Sequence, residues 1–439
     1  MAPVTTICAV ATPPGRGGVG IVRLSGPDAH RIARRLTGVE LMPRRAQRVF
    51  VRDARNQVLD DGLALYFSAP NSYTGEDVVE LQLHGSPVVL AQVVEACVEA
   101  GAHRAAPGEF SQRAFLNDKL DLVQAEAIAD LIDAGSRQAA RAARRSLEGA
   151  FSREVETLAD MLTQIRIQVE AALDFPDEEL DLLGDGQLRQ ALAALVSDTQ
   201  ALLKRAETGK VLTEGVKVAI AGRPNAGKSS LFNALVRRDA AIVTDIPGTT
   251  RDVLRETVHL AGVLVELSDT AGLRETIDAI EAEGVRRAQT ELDQADLVFW
   301  VRDGSDPADE TAPVTDGPVI EVINKIDRLD LPARREQQRV WLSARTGEGL
   351  DGLEAAFIEC LGLERLEGST FSARARHIEC IRDSLRHLEQ AHAQLVTGGA
   401  IELSAEELRQ AADRLGEITG RLHSDELLGL IFSSFCIGK

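Results

Sequence analysis

The sequence predicts a multidomain chain with three parts: an α+β N-terminal domain, an all-α helical domain, and an α/β domain inserted into the helical one. Three changes of pattern predict it. Residues 1–118 alternate short apolar runs with Gly and Pro, residues 119–210 have helical apolar spacing, and strand and helix patterns alternate over residues 211–365. Helical spacing then returns over residues 366–439.

Two helical segments flank the predicted α/β part, and each carries an apolar stripe along one side. The first is interrupted at Asp174-Phe175-Pro176-Asp177, where the proline predicts a break. The second contains Ser404-x-x-Glu407, a capping box that predicts the start of a further helix. Because each stripe must be buried, we expect the two segments to pack on each other. Two separate small bundles are the alternative.

Composition excludes several classes of protein. The 439 residues are 44% hydrophobic and 27% charged, which is typical of a globular chain and not of a disordered or fibrous one. No apolar run approaches the roughly 18 residues of a membrane span. No basic region precedes the short apolar stretch near the N-terminus, so we expect no secretory signal. The five cysteines are scattered without a CxxC pair, which favours a cytoplasmic location.

The charge balance argues against a protein that coats nucleic acid. There are 49 Lys and Arg against 68 Asp and Glu, a net charge of −19. Local basic patches are present nonetheless, since residues 1–60 hold ten arginines and four acidic residues. A second patch lies on one face of a predicted helix and consists of Arg137, Arg141, Arg144 and Arg145. RNA phosphates or plain solvation explain such patches, and solvation is the commoner reason.

A phosphate-binding loop opens the α/β part. Residues 222–229 read Gly-Arg-Pro-Asn-Ala-Gly-Lys-Ser, with an apolar strand before them and a helical pattern after them. Backbone N–H groups of such a loop wrap phosphates at a helix N-terminus. Lys228 then reaches the β and γ oxygens as a catalytic cation, and Ser229 is placed to bind Mg²⁺. The predicted loop residues are Asn225, Ala226, Gly227, Lys228, Ser229 and Ser230.

Further segments follow in the order that a Ras-like α/β P-loop GTPase requires. Thr250 is the predicted switch threonine. The Asp-x-x-Gly string provides a carboxylate on the Mg²⁺ side and a hinge glycine that can sense the γ-phosphate. Asp327 selects guanine, because its carboxylate accepts hydrogen bonds from both N1–H and the 2-amino group, a pair that adenine lacks. A Ser-Ala-Arg string closes over the guanine edge. The predicted residues are Thr244, Asp245, Ile246, Pro247, Gly248, Thr249, Thr250, Asp269, Thr270, Ala271, Gly272, Asn324, Lys325, Asp327, Ser343, Ala344 and Arg345.

The group that positions the hydrolytic water is not the usual one, because Leu273 stands where Ras-like enzymes place a glutamine. The nearest source is the acidic segment 278–283, and Glu281 is our candidate; a solvated switch helix is the alternative. No arginine finger is assignable, so we expect a substitute cation. The side-chain carbonyl of Asn225 is suited to bind a monovalent ion beside the phosphates, or else serves as a turn residue. Backbone oxygens of Thr244, Ile246 and Thr249 would complete the shell.

Strings outside the nucleotide motifs resemble the MnmE family of tRNA-modification GTPases, also called TrmE, over essentially the full length of the chain. They are far more specific than a phosphate loop, which many families share. The strings are Ala11-Thr12-Pro13-Pro14-Gly15-Arg16-Gly17-Gly18-Val19-Gly20, Tyr73-Thr74-Gly75-Glu76-Asp77, Ala106-Pro107-Gly108-Glu109-Phe110, Arg113-Ala114-Phe115-Leu116-Asn117, Lys119-Leu120-Asp121-Leu122 and Phe435-Cys436-Ile437-Gly438-Lys439.

The resemblance implies a folate-binding N-terminal domain that dimerises, and K⁺-stimulated GTP hydrolysis when two G domains meet. It implies a homodimer that works with the FAD-dependent partner MnmG (GidA), in a heterotetramer, to place a carboxymethylaminomethyl-type group on C5 of the wobble uridine of certain tRNAs. A tetrahydrofolate derivative, 5-formyl- or 5,10-methylene-tetrahydrofolate, supplies the one-carbon unit. Glu281 matches the family's catalytic glutamate and Asn225 its potassium ligand. The folate-site residues implied are Arg23, Glu80, Lys119 and Lys439.

Other interpretations compete with this one. Gly15-x-Gly17-x-x-Gly20 fits a dinucleotide fingerprint, but residues 21–24 continue as a strand, so we predict a glycine-rich hairpin. Cys436 is a candidate catalytic nucleophile toward uridine C6, with an incidental cysteine as the alternative. A ribosome-assembly GTPase of the Era or Der type shares the nucleotide motifs but normally carries a KH-like domain, and no such loop stands out here. A folate-binding scaffold without efficient hydrolysis conflicts with the intact nucleotide motifs.

Overall fold

The computed structural model describes residues 5–174, 186–240, 255–269, 290–306, 312–315, 317–329, 331–363, 371–397 and 401–438. The chain forms two compact units. The first comprises Met1–Ala129, Leu147–Thr163 and Arg409–Lys439, and the second comprises Asp130–Ser146 and Gln164–Leu408. Among the helices in the described ranges, none has the length and apolarity needed to span a bilayer.

The first unit contains a six-stranded mixed sheet. Its strands are β1 (Ile7–Val10), β2 (Gly17–Ser25), β3 (Gln47–Arg52), β4 (Val58–Phe67), β5 (Val78–Gly85) and β6 (His103–Arg104), in the order β3-β4-β5-β2-β1-β6. Neighbours are antiparallel except for β1 and β6. The antiparallel pair β1 and β2 confirms the glycine-rich hairpin, because a dinucleotide site would require a helix after those glycines.

Two helices cover one face of this sheet, α1 (Ala29–Thr37) and α2 (Pro87–Glu99). The alternation within β5 explains which face they cover. Val79 and Leu81 are buried in the core formed with the two helices, whereas Glu80 between them points to the opposite face. The face that carries Glu80 is therefore the one on which polar side chains of this sheet meet.

The remaining helices are α3 (Glu109–Leu116), α4 (Leu122–Asp133), α5 (Arg137–Leu147), α6 (Ala150–Asp174), α7 (Gln187–Glu214), α8 (Lys228–Ala240), α9 (Leu350–Cys360), α10 (Ala375–Thr397), α11 (Ile401–Thr419) and α12 (Asp425–Ser433). Within the first unit, α3 packs against α12. Phe115, Leu122, Leu428 and Phe432 form the apolar cluster between these helices and α4. The segment that follows α12 is thereby anchored beside α3.

The second unit contains a seven-stranded mixed sheet. Its strands are β7 (Val216–Ala221), β8 (Arg255–Leu260), β9 (Val263–Asp269), β10 (Leu297–Asp303), β11 (Val319–Asn324), β12 (Arg334–Glu336) and β13 (Arg339–Trp341), in the order β12-β13-β11-β10-β7-β9-β8. The five central strands are parallel and the two edge strands antiparallel. The predicted inserted α/β domain is therefore present, with the phosphate loop after a central strand.

The connection between β10 and β11 differs from the predicted alternation of strands and helices. Its described residues, 304–306, 312–315 and 317–318, form a turn and irregular backbone, with no helix among them. Two glycines and three prolines within residues 304–318 disfavour a helix there. Parallel strands usually need a crossover of a dozen or more residues, most often helical. The described residues of this crossover contain no such helix.

Arginine side chains cover the aromatic residues of the neighbouring strands. Trp300 and Trp341 are each 8% exposed. The guanidinium of Arg302 lies 5.1 Å from the ring centre of Trp300, and that of Arg334 lies 4.2 Å from the ring centre of Trp341. The carboxylate of Glu321, on the strand between them, accepts a 2.7 Å hydrogen bond from Arg302. Cation–π contacts thus bury both tryptophans at this part of the sheet.

The helical segments before and after the α/β sheet contact each other within the second unit, as their apolar stripes predict. α7 packs along α10, and the pairs Gln200–Glu389 and Arg382–Glu207 each lie at 3.1 Å. Ala142 of α5 is part of the core of the α/β sheet. The first helical segment therefore contacts both the second segment and the sheet.

Two helix boundaries were predicted within the helical segments, one at Ser404 and one after residue 174. Ser404 was expected to begin a helix, but α11 already includes residue 401, and the Ser404 hydroxyl donates to Gln394 at 3.2 Å. The capping-box prediction is therefore wrong, because the helix already includes residues 401–403 and Ser404 lies inside it instead of at its N-terminal cap. The break predicted at Asp174-Phe175-Pro176-Asp177 lies largely outside the described residues, which include α6 up to Asp174 and resume at residue 186.

Candidate functional site

The phosphate loop joins β7 to α8, and two of its glycines are sterically required. Gly222 has φ +145°, and a Cβ there would lie 2.1 Å from the carbonyl oxygen of Val301. Gly227 has φ +99°, and a Cβ there would lie 2.2 Å from Nδ2 of Asn324. Only glycine tolerates both the left-handed backbone and such close approach. The loop is therefore packed against the ends of β10 and β11.

The loop lysine is held at the loop itself. Lys228 is the first residue of α8 and is 7% exposed. Its ammonium donates to the carbonyl oxygens of Gly222 at 2.7 Å and Arg223 at 2.8 Å. The charge thus lies inside the curve of a loop at a helix N-terminus, an arrangement that suits an incoming phosphate. Ser229 follows in the first turn of the helix.

The Asn-Lys-x-Asp string contacts two consecutive carbonyls of the phosphate loop. Asn324 donates from Nδ2 to the Ala226 oxygen at 3.0 Å and accepts from the Ala344 backbone N–H at 2.9 Å. Lys325 donates from Nζ to the Asn225 oxygen at 2.5 Å. Three segments that are far apart in the sequence are therefore connected by direct hydrogen bonds. The structure brings together the loop, the Asn-Lys-x-Asp string and the Ser-Ala-Arg string as predicted.

The carboxylate predicted to read guanine is oriented by the Ser-Ala-Arg string. Asp327 accepts a 2.7 Å hydrogen bond from the Ser343 hydroxyl, and the Arg345 guanidinium lies 3.7 Å from its other oxygen. The Ser343 hydrogen bond, and then the charge of Arg345, lower the pKa of Asp327 below its ordinary value. Asp327 is therefore an ionised acceptor at neutral pH, as recognition of two guanine N–H groups requires.

Part of the predicted nucleotide site lies outside the described residues. These predictions concern Glu281, Thr270, Ala271, Gly272, Thr244, Asp245, Ile246, Pro247, Gly248, Thr249 and Thr250. Asp269 is the last residue of β9, and its backbone pairs with Ile220 of β7, two residues before Gly222. Asp269 is thus at the carboxyl end of the strand next to the phosphate loop, which is where the Mg²⁺-side carboxylate is expected.

A second polar site lies on the open face of the first unit's sheet. Arg23 of β2 is paired with Glu80 of β5, with Nη2 and Oε1 2.9 Å apart and side-chain exposures of 21% and 17%. Its guanidinium lies 5.6 Å from the ring centre of Tyr73 and 5.7 Å from that of Phe110. It also donates to the Gly438 carbonyl at 3.3 Å. Two predicted folate-site residues are therefore in direct contact, beside two aromatic rings.

The other predicted residues of the first unit, Lys119, Lys439 and Cys436, make no contact with Arg23 or Glu80 that involves their described side chains. Lys119 is exposed, and its ammonium donates to the Pro70 carbonyl at 3.0 Å. Lys439 lies outside the described residues, next to Gly438. Cys436 is exposed, and its carbonyl accepts from the Gly108 N–H at 3.4 Å. The chain around Cys436 is thus held beside the N-terminus of α3.

Sequence reasoning assigned no role to a second charged cluster in the first unit. Glu76 accepts hydrogen bonds from Ser25 at 2.6 Å and from Arg113 at 3.2 Å. Arg113 also donates to Glu109 at 2.8 Å, and its side chain is 13% exposed. One signal for this cluster was present in the sequence, because Glu76, Glu109 and Arg113 all lie within the strings shared with the family. Ser25 does not. Their carboxylate and guanidinium groups satisfy one another, which identifies them as structural supports of this face.

Comparison with known proteins agrees with this architecture. The MnmE helical domain family matches residues 122–436, and the GTP-binding protein TrmE N-terminus family matches residues 6–119. A tRNA modification GTPase MnmE of Pseudomonas paraeruginosa is 53% identical over 99% of both chains, and one of Yersinia pseudotuberculosis is 51% identical over 100% of both. A solved structure of the G domain of the T. maritima FeoB iron transporter covers 33% of this chain and 97% of its own at 27% identity, with a TM-score of 0.23. The family matches and the full-length relatives confirm the resemblance found in the sequence, and the chain belongs to the MnmE family.

Proposed function

We propose that this chain is a GTPase that acts in tRNA modification. The observation that carries the nucleotide part is the contact of Asn324 and Lys325 with two consecutive loop carbonyls, which joins the predicted phosphate site to the predicted base site. Asp327, ionised and oriented by Ser343, supplies the acceptor for guanine. The tRNA part rests on the family and on its curated relatives, which are named tRNA modification GTPases.

Guanine selection is tested by Asp327→Asn. The substitution keeps an oxygen for Ser343 and replaces the second carboxylate oxygen with an amide NH₂ group, which repels the guanine N–H groups and matches the 2-oxygen of xanthine. We expect preference to move from GTP toward xanthosine triphosphate, measured as the ratio of kcat/KM for the two nucleotides. An unchanged ratio would contradict the role of Asp327.

Hydrolysis is assigned to groups around the phosphate loop. Lys228 would bind the β and γ oxygens, Ser229 and Thr250 would hold Mg²⁺, Asp269 would supply the carboxylate on the Mg²⁺ side, and Glu281 would position the water. The Ser229 hydroxyl and the strand-end position of Asp269 suit this hard oxygen-binding ion. The Asn225 side chain is exposed and makes no hydrogen bond to a described residue, so its carbonyl is available to K⁺ together with oxygens of Thr244, Ile246 and Thr249. Bound there, K⁺ would supply the positive charge that an arginine finger supplies in other GTPases.

The cation proposal is tested by steady-state GTP hydrolysis in KCl and in NaCl at equal ionic strength, across protein concentration. Strong stimulation by K⁺ that rises with protein concentration is expected, because G-domain pairing is part of the proposal. Asn225→Gly, which removes the side-chain carbonyl and tolerates the φ of +65° at this position, should abolish the difference between the salts. Equal rates of the unsubstituted protein in both salts would overturn the role of K⁺ and leave GTP binding unaffected.

The open face of the first unit is proposed to bind a tetrahydrofolate derivative, 5-formyl- or 5,10-methylene-tetrahydrofolate. Arg23 and Glu80 offer a cation and an acceptor beside the Tyr73 and Phe110 rings, which suits a flat heteroaromatic ring with a carboxylate tail. Lys119 and Lys439 are proposed as further contacts. Arg23→Met should abolish binding of 5-formyl-tetrahydrofolate in calorimetry, whereas Arg48→Met on an outer strand should not. Equal affinities would contradict the assignment.

The remaining proposals concern partners and chemistry. The chain is proposed to act in the cytoplasm as a homodimer, with the FAD-dependent partner MnmG in a heterotetramer, on C5 of the wobble uridine of certain tRNAs. Phe50 and Leu63, 45% and 41% exposed on β3 and β4, are apolar residues suited to a dimer contact in the N-terminal domain. Phe50→Asp should therefore shift the sedimentation coefficient toward a monomer, and an unchanged value would exclude this contact.

Cys436 is proposed as a nucleophile because its exposed position leaves the thiol accessible. Cys436→Ser should abolish tRNA modification in a reconstituted reaction with the partner, while GTP hydrolysis stays at the rate of the unsubstituted protein. Full modification by the serine variant would refute a covalent role.

A further inference from the structure

An acidic residue that no motif includes is bound to the Asn-Lys-x-Asp lysine. Asp303 is the last residue of β10, and its Oδ2 accepts a 2.6 Å hydrogen bond from the Lys325 ammonium. The same ammonium donates to the carbonyl oxygen of Asn225 in the phosphate loop at 2.5 Å. The two charged side chains are only 21% and 19% exposed. Lys325 therefore bridges the end of β10 and the loop.

The carboxylate is fixed from its other side. Oδ1 of Asp303 accepts from the Ser305 backbone N–H at 2.9 Å and from the Ser305 hydroxyl at 2.6 Å, which forms an Asx turn. Burial raises the pKa of Asp303, but the hydrogen bonds from Lys325 and Ser305 outweigh it and hold the pKa at about 2. Asp303 is therefore a charged and immobile acceptor for Lys325 throughout the physiological range of pH.

The bridge joins two residues that both have a disfavoured backbone. Asn225 has φ +65° and Lys325 has φ +69°, the left-handed region that costs a non-glycine residue roughly 1 kcal/mol or more. Such conformations persist when surrounding contacts hold them. The hydrogen bond between Lys325 and the Asn225 carbonyl is such a contact, and the ion pair with Asp303 keeps the ammonium in place to make it.

We propose that Asp303 is a positioning residue of the nucleotide site, which holds Lys325 against the Asn225 carbonyl and so maintains the left-handed turn of the phosphate loop. The inference rests on the proposed function, because it takes this loop to be the guanine-nucleotide site. The loop turn serves GTP and GDP alike. Loss of the ion pair should therefore weaken nucleotide binding and leave the chemical step largely intact.

Asp303→Asn isolates the ion pair. Asparagine keeps Oδ1 for the Asx turn with Ser305 but presents an NH₂ group, which cannot accept a hydrogen bond, to Lys325. Charge-assisted hydrogen bonds to partly exposed partners suggest a loss of about tenfold in affinity for a fluorescent GDP analogue. The KM for GTP should rise by a similar factor with kcat changed less than about threefold, as for the loss of uniform binding.

Two variants serve as controls. Asp351→Asn removes a different ion pair of the same unit, between Asp351 and Arg238 at 2.6 Å, and should leave GDP affinity unchanged. Asp303→Glu keeps the charge and should bind GDP within about threefold of the unsubstituted protein. A tenfold loss in Asp303→Glu, or an equal loss in Asp351→Asn, would mean that general destabilisation and not the ion pair is responsible.

A double-mutant cycle with Lys325→Met tests the route of action. If Asp303 acts through Lys325, Asp303→Asn should weaken GDP binding less than about twofold in the Lys325→Met background. A further tenfold loss there would overturn the inference. The proposed nucleotide site and the role of Asp303 can fail separately. If the unsubstituted protein does not bind GDP, the nucleotide site is refuted. If the unsubstituted protein and Asp303→Asn bind GDP tightly and equally, only the role of Asp303 is refuted.

Discussion

The side chain of Asn324 should stabilise the α/β unit even without nucleotide. It is 2% exposed, and its amide bonds a phosphate-loop carbonyl on one side and the backbone N–H of Ala344 on the other. Asn324→Ala removes both partners at once, and the alanine methyl group can replace neither. Two backbone groups at the junction of three segments then lose their hydrogen bonds.

The expected cost follows from these two groups. A buried donor or acceptor left without a partner costs about 1–3 kcal/mol. Ala226 and Ala344 are 2% and 7% exposed, so water reaches neither position readily. Allowing for local relaxation, we expect Asn324→Ala to lower the free energy of unfolding of this unit by about 2–4 kcal/mol.

Tryptophan fluorescence provides a selective assay, because the only two tryptophans of the chain, Trp300 and Trp341, lie in strands of this sheet. Urea unfolding of the nucleotide-free protein followed at these residues reports on the unit and not on the whole chain. Asp327→Asn is the matched control, since it keeps an oxygen for Ser343 and should change the unfolding free energy by less than about 0.5 kcal/mol. A change in Asn324→Ala no larger than in the control would refute the reasoning.

Three further predictions concern other parts of the chain. The hydrogen bond to Asp60, at 2.8 Å, raises the pKa of His84 above the ordinary 6.5. The stability that this pair contributes is therefore present below pH 6.5 and is lost as pH rises through the folded-state pKa. In an NMR titration Asp60→Asn should return the His84 midpoint toward 6.5, and an unmoved midpoint would contradict the pairing. Gly438 has φ +97°, and in Gly438→Ala the added Cβ would lie 2.2 Å from a β1 carbonyl oxygen. This clash should displace the C-terminal segment and accelerate hydrogen exchange of backbone amides near Gly108. Unchanged exchange would show that the segment accommodates the methyl group. Arg374→Met leaves the carboxylate of Asp130, 7% exposed, without its 2.6 Å partner and should destabilise the second unit by about 2–3 kcal/mol in urea unfolding, with a loss below 1 kcal/mol arguing against the pair.

The nucleotide site was predictable because its chemistry is local in sequence. Glycines, a lysine and a serine at set spacing between a strand and a helix form a phosphate loop in almost any context, and the order of the later strings predicted which ones would meet it. The prediction reached Asp327 and its partner Ser343 for the same reason. It missed Asp303, because that aspartate belongs to no motif and becomes relevant only where β10 ends beside Lys325.

Another error has the same physical origin. The Ser404 capping box was read from local spacing, but Ser404 lies inside a helix that already includes residue 401, where it is buried with its hydroxyl donating to Gln394 of a neighbouring helix. Local pattern sets a preference of a few tenths to about 1 kcal/mol per residue, which a single tertiary contact can exceed.

The sequence by itself determined the family, the three-part organisation and the residues that are candidates for binding GTP and folate, because all of these depend on residue types at short spacing. Only the tertiary structure decided which of those residues touch. It placed Arg23 against Glu80, 57 positions away, and against the Gly438 carbonyl, 415 positions away, and it linked Asp303 through Lys325 to Asn225. Hydrogen bonds and ion pairs act over about 3 Å in space, and distance along the chain does not report that separation.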